Sequence, residues 1–246
     1  MSLVKSVKKS IEILNCFSSE QLELGVTELS NKINMNKSTV HHIVKSLHDE
    51  GVLVRTKNRK YRLGTKFLLW GELVSIQYKH YFNTLPYIEE LVRKTNETVH
   101  LAIRENDMAT YLLKVEPKNT VKIKTSMGAR RPIYCTGVGK VLLAADENKE
   151  KAKEIQLEPF TKNTITDHDE LLDELNKIKK DGFAIDNEEF EEGLMCFAAP
   201  VRDISGDVVC AISISGPEVR LSQNKNVFLN HLLSVTNKIS KSSTFY

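Results

Sequence analysis

Side chains that commonly bind nucleic acid are concentrated between residues 36 and 62. Lysine can donate to guanine O6 and N7, hydroxyl groups bind phosphates or base edges, and histidine can hydrogen-bond to either. One group falls within a predicted helix and comprises Lys37, Ser38, Thr39, His41, His42 and Lys45. A second group surrounds a predicted turn, where dense positive charge suits phosphates or a minor groove, and comprises Arg55, Lys57, Arg59, Lys60 and Arg62. These two groups predict that the partner is double-stranded DNA.

The apolar spacing around these groups predicts three helices. The first covers residues 3–17, and its predicted inward face is formed by Val4, Val7, Ile11, Leu14 and Phe17. A short second helix is expected to have Thr27 as its N-cap and to direct Leu29 and Ile33 inward. The third helix begins after the N-cap Asn36 and ends at Gly51.

Two short strands, Val52–Arg55 and Tyr61–Gly64, are predicted on either side of the basic turn. Three helices followed by a hairpin predict a winged helix-turn-helix, in which the second helix of the motif enters the major groove. A polar helix face by itself also fits the solvated side of a small helical bundle. The order of helix, turn, polar helix and basic hairpin favours DNA binding.

Composition and charge separate the chain into two parts. The chain is 41% hydrophobic and 27% charged, as soluble globular proteins are. Residues 1–80 contain 13 Lys and Arg against 7 Asp and Glu, so their net charge is +6, whereas the remainder has a net charge of −3. The asymmetry predicts a basic N-terminal module that meets a polyanion and a second module with another task.

Several classes of protein and site are not expected. No apolar stretch approaches the roughly 20 residues that span a bilayer, so we expect no membrane association and a cytoplasmic location. Adjacent helical residues diverge by about 100°, so His41 and His42 do not chelate one ion together. The four cysteines are far apart in sequence and no C-x-x-C pair is present, so neither zinc nor a dithiol is indicated. We expect no cofactor.

The remaining two thirds of the chain predict an α+β domain with an antiparallel sheet and flanking helices. A hairpin is predicted from Val99–Ile103 and Thr110–Val115. The other predicted strands are Val121–Lys124, Phe183–Asp186, Cys196–Val201 and Val208–Ser215, and the predicted helices are Val138–Ala145, Glu150–Ile155, Asp167–Lys180 and Gln223–Ser240. The expected domains are a winged helix-turn-helix in residues 1–65, a linker helix in residues 66–84 and a larger domain in residues 85–246.

The chain resembles the IclR family of bacterial transcriptional regulators over nearly its whole length. In the N-terminal part the resemblance lies in Ser6-Val7, Ile11, Leu14, Leu29-Ser30, the run Met35-Asn36-Lys37-Ser38-Thr39-Val40-His41, Leu47, Gly51 and Tyr61-Arg62-Leu63-Gly64. In the C-terminal part it lies in the blocks 135–144 (CTGVGKVLLA), 182–189 (GFAIDNEE), 193–201 (GLMCFAAPV) and 211–217 (AISISGP). One departure is His42, at a position where the family most often has Arg.

The resemblance implies a GAF-like effector domain, dimerisation through the DNA-binding module and its linker helix, and often a dimer of dimers. It further implies an effector that is a small carboxylate, oxo acid, sugar acid or aromatic acid. The effector positions of the family correspond to Gly137, Val138, Asp186, Cys196, Ser213 and Ser215.

The residue types fit this assignment. Gly137 and Val138 open a predicted helix, where free backbone N–H groups and the positive end of the helix dipole can hold a carboxylate. Ser213 and Ser215 are two apart in a strand and therefore share one face. Each residue alone also has a structural explanation, since turn glycines, core thiols and backbone-bonded strand serines are common.

The expected function is a ligand-responsive DNA-binding transcriptional regulator that recognises a roughly palindromic operator. We expect a repressor, although the sign of regulation depends on where the operator lies relative to a promoter. The alternative is a cysteine-dependent enzyme on a GAF-like domain that uses Cys196 or Cys135. Against the enzyme, no base with a fixed spacing accompanies either thiol. An adaptor that binds only protein is disfavoured by the basic hairpin.

Overall fold

The computed structural model describes residues 4–118, 123–146, 150–242 and 245, and it divides the chain into two units, residues 1–78 and 79–246. The strand predicted over Val121–Lys124 begins outside the described residues. Within these ranges every helix is too short or too polar to span a bilayer. The described His, Cys, Asp and Glu side chains form no cluster suited to a metal ion.

The first unit is a winged helix-turn-helix, as predicted. Its elements are α1 (Lys5–Leu14), α2 (Val26–Lys32), α3 (Lys37–Asp49), β1 (Leu53–Arg55), β2 (Tyr61–Leu63) and α4 (Lys66–Gln77). Ile13, Leu29, Val40, Val44 and Leu53 are fully buried and form one core with their neighbours. The strands β1 and β2 pair antiparallel, and Tyr61 also exchanges two backbone hydrogen bonds with Leu24, which joins the hairpin to the segment before α2.

Two local predictions for this unit were wrong. Thr27 is not the N-cap of α2, because the helix begins at Val26 with Gly25 as its N-cap. The Gly25 N–H donates to the Glu28 carboxylate at 2.6 Å, and this bond fixes the earlier start. In α1, the predicted inward residues Val4, Val7 and Ile11 are more than half exposed, whereas Ile13 is fully buried.

The end of α3 has a clear physical cause, and the segment after β2 differs from its prediction. Gly51 follows α3 with a positive φ of 71°, a conformation that ends helices and favours glycine. The predicted linker helix is divided, because α4 ends at Gln77 and a short helix α5 (Lys79–Phe82) begins after Tyr78. None of the residues of α4 is buried, although most of them are apolar.

The second unit is built on a six-stranded antiparallel sheet. Its strands are β3 (Thr98–Glu105), β4 (Met108–Val115), β5 (Arg130–Pro132), β6 (Ala184–Asn187), β7 (Leu194–Arg202) and β8 (Val208–Pro217). Their order in the sheet is β5-β4-β3-β8-β7-β6. Its further helices are α6 (Leu85–Thr95), α7 (Gly137–Ala144), α8 (Glu150–Glu154), α9 (His168–Asp181), α10 (Glu218–Gln223) and α11 (Lys225–Lys241). The α+β prediction with an antiparallel sheet is therefore confirmed.

Both faces of the sheet are covered. Consecutive residues in the central strands β3, β7 and β8 are buried, and successive strand residues point to opposite faces. On one face, α7 packs against β3, β4, β6, β7 and β8, and α9 packs on α7. The helices α6 and α11 pack against each other and against the sheet. The start of α7 therefore lies on a closed, water-poor layer.

Candidate functional site

Six predicted effector residues lie together on the face of the sheet that α7 covers. Directly opposed residues of antiparallel strands share a face. Asp186 on β6 is opposite Cys196 on β7, and Cys196 is opposite Ser215 on β8. One step along the strands, Ala198 is opposite Ser213. The pairing forms two adjacent rows across the sheet, which we call the polar rows. Asp186, Cys196 and Ser215 form one row, and Ala198 and Ser213 form the other.

Hydrogen bonds connect the hydroxyl groups of these rows. The Ser213 and Ser215 Oγ atoms are 3.4 Å apart. Ser215 Oγ is 3.3 Å from Nδ1 of His100, which is opposite Ser213 on β3. The His100 ring meets the Tyr111 ring edge to face, with centroids 5.2 Å apart. The polar rows therefore continue from β8 onto β3 and end against an aromatic ring.

The first turn of α7 rests directly on these rows. Thr136 is the N-cap, and its hydroxyl accepts from the Gly139 N–H at 3.2 Å. A Cβ on Gly139 would lie 2.2 Å from the backbone oxygen of Ile133, so only glycine fits. A Cβ on Gly137 would lie 3.3 Å from Ala198 Cβ and 3.4 Å from Cys196 Cβ. Gly139 is thus needed for the tight turn into the helix, and Gly137 lets the start of the helix lie close to the sheet.

This arrangement suits a small anion. The first N–H groups of a helix have no acceptor within the helix, and the helix dipole adds positive potential there. Gly137 and Val138 supply such groups, and both residues are buried. The two serine hydroxyls can donate to the same ligand because they share its side of the sheet. The site offers hydrogen-bond donors in a low-dielectric layer without placing a cationic side chain on the two rows.

Asp186 is fully buried beside these donors, and its carboxyl group is held close to neutrality. Burial and, to a lesser degree, the nearby Glu189 carboxylate raise the pKa of Asp186 to about 7, although the Glu189 N–H, which donates to Oδ1 at 2.9 Å, acts in the opposite direction. A protonated Asp186 can donate a hydrogen bond to a ligand oxygen. It would then assist anion binding instead of opposing it.

A buried ion cluster lies behind the site. The ammonium group of Lys140, on the second turn of α7, contacts Glu189 and is 3.2 Å from Glu174 Oε1 and 2.6 Å from the Ile185 carbonyl oxygen. Burial would lower the pKa of Lys140, but the two carboxylates outweigh it and raise the pKa. Lys140 and Glu189 also line an open cleft of about 830 Å³ beside β6, which none of the six predicted residues lines.

The thiols of the site are poor nucleophiles. Cys196 is buried, and burial followed by the Asp186 charge raises the pKa of its thiol well above the usual value. Burial likewise raises the pKa of the Cys135 thiol. Because the thiolate is the reactive form, neither cysteine has the environment of a catalytic nucleophile. The Nδ1 atom of His100 contacts Ser215, so this nitrogen is not available to accept a proton from a thiol.

His100 and Tyr111 lie beside the site although neither is among the six predicted residues. His100 is there because β3 pairs with β8 and places it opposite Ser213. Tyr111 is there because β3 and β4 pair with a register shift between Leu101 and Ala102, which places Tyr111 opposite Ala102. An alternating polar residue in an apolar strand was the available signal for His100. No signal in the sequence indicated the register shift.

In the first unit, α3 presents the predicted DNA-contacting residues on one side. The exposed members are Lys37, Ser38, His41, His42 and Lys45, and Thr39 is half-buried. Val40 and Val44 are fully buried on the opposite side of the helix. The polar face is therefore free for a partner while the apolar face holds the helix on the core.

The predicted basic hairpin presents four of its five selected residues to solvent. Arg55, Lys57, Arg59 and Arg62 are exposed, and Arg59 lies at the tip with a positive φ of 60°. Lys60 differs, because it is half-buried and its ammonium group lies 3.0 Å from the Glu28 carboxylate of α2. Lys60 therefore joins the hairpin to the helical part, and its charge is already paired.

Two protein-family matches cover most of the chain. The family described as "Bacterial transcriptional regulator IclR C-terminal" matches residues 81–241, and the "IclR helix-turn-helix domain" matches residues 6–57. Among similar curated proteins, the HTH-type transcriptional regulator KdgR of Escherichia coli (strain K12) is 34% identical over 226 residues, which are 90% of this chain and 86% of KdgR. The DNA-binding transcriptional repressor YiaJ of the same organism is 34% identical over 228 residues, which are 89% of this chain and 80% of YiaJ.

Two solved structures have a fold similar to that of this chain. The Thermotoga maritima IclR structure has a TM-score of 0.76 and 30% identity, and the match covers 96% of this chain and 99% of that one. An IclR homolog from Microbacterium hydrocarbonoxydans, complexed with 4-hydroxybenzoate, has a TM-score of 0.81 and covers 96% of this chain and 97% of its own. Its identity is 21%, so this likeness shows the fold alone.

The raised pKa of Asp186 predicts a particular pH dependence of stability. The folded state keeps the proton up to about pH 7, whereas the unfolded chain loses it near pH 4, so the free energy of unfolding falls as pH rises between these values. For a shift of about three pH units this loss is at most about 4 kcal/mol. Asp186→Asn keeps an oxygen that accepts from the Glu189 N–H and cannot ionise. Chemical denaturation should show the variant gaining stability over the wild type from pH 5 to pH 8.

The matched control is Asp173→Asn, which changes an exposed carboxylate on α9. Its stability should follow the wild-type curve across the same pH range. Parallel pH profiles for Asp186→Asn and the wild type would show that Asp186 ionises normally in the folded protein.

Proposed function

The chain belongs to the IclR family of bacterial transcriptional regulators and is a DNA-binding regulator, and we propose that a small organic acid bound by α7 and the polar rows controls its operator affinity. The close approach of Gly137 to Cys196 and Ala198, where an added Cβ would lie 3.3–3.4 Å from their Cβ atoms, is the observation that supports the ligand site, because it brings backbone donors next to the two rows. The family consists of regulators, so the enzyme alternative is not supported.

The proposed effector is a carboxylate, oxo acid, sugar acid or aromatic acid. Its carboxylate accepts from the backbone N–H groups of Gly137 and Val138, and the hydroxyls of Ser213 and Ser215 bind its remaining oxygens. Asp186 donates from its protonated form, and Cys196 forms a small wall. Support comes from the burial of these groups in one cluster and from the organic acid, 4-hydroxybenzoate, in the Microbacterium homolog.

The proposed partner of the first unit is a roughly palindromic operator. The α3 face from Lys37 to Lys45 reaches base edges in the major groove, and Arg55, Lys57 and Arg59 contact phosphates or the minor groove. A homodimer would bind half-sites about one helical turn, ~34 Å, apart or a multiple of that distance. Lys60 contributes less because Glu28 already pairs its charge.

We further propose a homodimer formed through the first unit. Leu68, Leu69, Leu73 and Ile76 of α4 are each at least half exposed, as are Val4, Val7 and Ile11 at the first helix. Exposed large apolar side chains in this number mark a protein interface. A second copy of the chain is the proposed occupant, and a pairing of dimers is compatible with this surface.

Repression is the proposed outcome of operator binding, and the name of YiaJ as a repressor supports it. The effector acts only if it binds two arrangements of the protein with different affinity, because tight binding to both would shift nothing. A regulator works where the chromosome is, so the proposed location is the cytoplasm. The proposed domains are residues 1–65, a linker in 66–84 and the effector domain in 85–246.

Substitutions in α3 and in the hairpin should weaken DNA binding differently. On an operator selected from randomised duplexes, Lys37→Ala and His41→Ala should lower affinity by about 1–3 kcal/mol and leave binding to unrelated DNA nearly unchanged. Lys57→Ala should weaken both DNAs alike and reduce the salt slope by about one. Lys60→Ala is the matched control in the same hairpin and should affect the slope less. Fluorescence anisotropy over a salt series measures all four variants, and equal losses on both DNAs for His41→Ala would exclude base contact by that residue.

Charge placed on α4 should break the proposed dimer. Leu69→Glu with Leu73→Glu puts two carboxylates in the apolar surface, so light scattering after gel filtration should give one chain mass, 27.9 kDa, where the wild type gives twice or four times that mass. Val219→Glu is the control, because Val219 is 62% exposed on α10, in the other unit. A wild-type protein that is monomeric at micromolar concentration refutes the dimer.

A melting screen against carboxylates, oxo acids, sugar acids and aromatic acids tests the effector site. A ligand at 100 times its Kd stabilises the protein by about 2.7 kcal/mol, which is a readily measured shift. Ser213→Ala and Gly137→Ala should abolish the shift that an acid produces, the first by removing a donor and the second by placing a methyl group over Ala198. Ser205→Ala, in an exposed turn, should leave it unchanged. A shift that survives both substitutions places the ligand elsewhere.

A further inference from the structure

His100 is a buried polar residue at the end of the polar rows that the proposed carboxylate site leaves unused. Its side chain is 2% exposed, and it stands on the same face as Ser213, its partner across β3 and β8. The ring lies between Ser215, which contacts Nδ1, and Tyr111, which meets the ring edge to face. These contacts fix the ring in the layer beneath α7.

The two ring nitrogens differ in their partners. Nδ1 is 3.3 Å from Ser215 Oγ, whereas Nε2, at the end of the ring farther from the backbone, has no hydrogen-bond partner among the described residues and is shielded from solvent. A neutral imidazole has one N–H donor and one acceptor nitrogen, so either tautomer leaves Nε2 with an unmet bond. Buried polar atoms are nearly always paired, which makes this atom a candidate for ligand contact.

The chemistry of Nε2 restricts its partner. Burial, followed by the charge of Lys114, lowers the pKa of His100 to about 3, so the ring is neutral at physiological pH. A neutral ring can donate to or accept from a hydroxyl group, or donate to a carbonyl oxygen. It offers no charge to offset the cost of burying a second carboxylate. The partner is therefore a neutral oxygen.

The position of His100 restricts where that oxygen lies on the ligand. Gly137 sits over Cys196 and Ala198 on β7, and His100 is on β3, two strands away. Neighbouring strands are about 4.8 Å apart, so the two positions are separated by about 10 Å at the backbone. An acid whose carboxylate lies at the start of α7 reaches Nε2 with an oxygen several bonds from the carboxylate.

We propose that His100 Nε2 binds a hydroxyl or carbonyl oxygen of the effector, remote from its carboxylate, and thereby selects hydroxy and oxo monocarboxylates over unsubstituted acids. This inference rests on the proposed function of the site, because it takes the α7 carboxylate site as the other anchor. Tyr111 acts as a positioning residue that holds the imidazole ring.

The test uses full-length protein and pairs of acids that differ in the remote oxygen. The probes are 4-hydroxybenzoate with benzoate, 4-oxopentanoate with pentanoate, and 6-hydroxyhexanoate with hexanoate, each measured by calorimetry. In at least one pair the oxygenated acid should bind the wild type about tenfold more tightly or better, because the unmet bond of Nε2 is then satisfied. The unsubstituted member should bind the wild type and the His100 variants alike.

Three substitutions isolate the role of Nε2. His100→Leu removes both nitrogens and should abolish the preference. His100→Asn places an amide near the Nδ1 position, so it can keep the Ser215 contact and should also lose the preference. His100→Gln reaches the Nε2 position and should retain much of it. If His100→Leu does not fold, the comparison of Asn with Gln decides alone.

The outcomes separate this inference from the function on which it rests. A wild type that binds none of the acids overturns both. Binding without a preference in any pair, or a preference that persists in His100→Asn, overturns the role of His100 and leaves the carboxylate site standing. A preference lost in His100→Asn and kept in His100→Gln supports the inference.

Discussion

The close approach of the α7 N-terminus to the sheet is the constraint on which the second unit depends. Gly139 has no room for a side chain because the carbonyl oxygen of Ile133, in the turn before the helix, occupies that space, and a Cβ on Gly137 would already lie 3.3 Å from Ala198 Cβ. A bulkier residue at position 137 would push the helix start, with its free N–H groups, away from the polar rows. The same contact excludes water, so each hydrogen bond offered there is worth more than at the surface.

Buried titratable side chains lie on both sides of α7, and the two groups differ in how their charge is treated. On the sheet side of the helix, burial keeps Cys196 and His100 neutral and raises the pKa of Asp186 to about 7, so that charge on these groups is disfavoured. Behind it, the Lys140 ammonium is paired with Glu189 and Glu174 and also bonds to the Ile185 carbonyl. Glu189 belongs to both sides, because its N–H donates to Asp186 and its carboxylate meets Lys140. A change of charge in either group therefore affects the other.

The two units differ in charge and in where their polar groups lie. The first unit exposes unpaired cations on α3 and on the hairpin tip, where they can meet phosphates, and it pairs Lys60 internally. The second unit buries its candidate effector groups, and its net charge is close to zero. Helical periodicity was misleading for Val4, Val7 and Ile11, because an apolar stripe does not show whether the rest of the chain covers it.

The sequence alone determined most of the element types, the winged helix, the exposed polar face of α3 and, through its resemblance to a family, the six residues that α7 and the sheet bring together. These follow from periodicity, turn residues and motif order, which are local properties. Only the tertiary structure decided that Val4, Val7 and Ile11 lie outside the core, that Glu28 pairs with Lys60, and that His100 and Tyr111 lie beside the candidate site. Each of these depends on strand register or on how segments distant in sequence pack together, and local spacing does not encode such contacts.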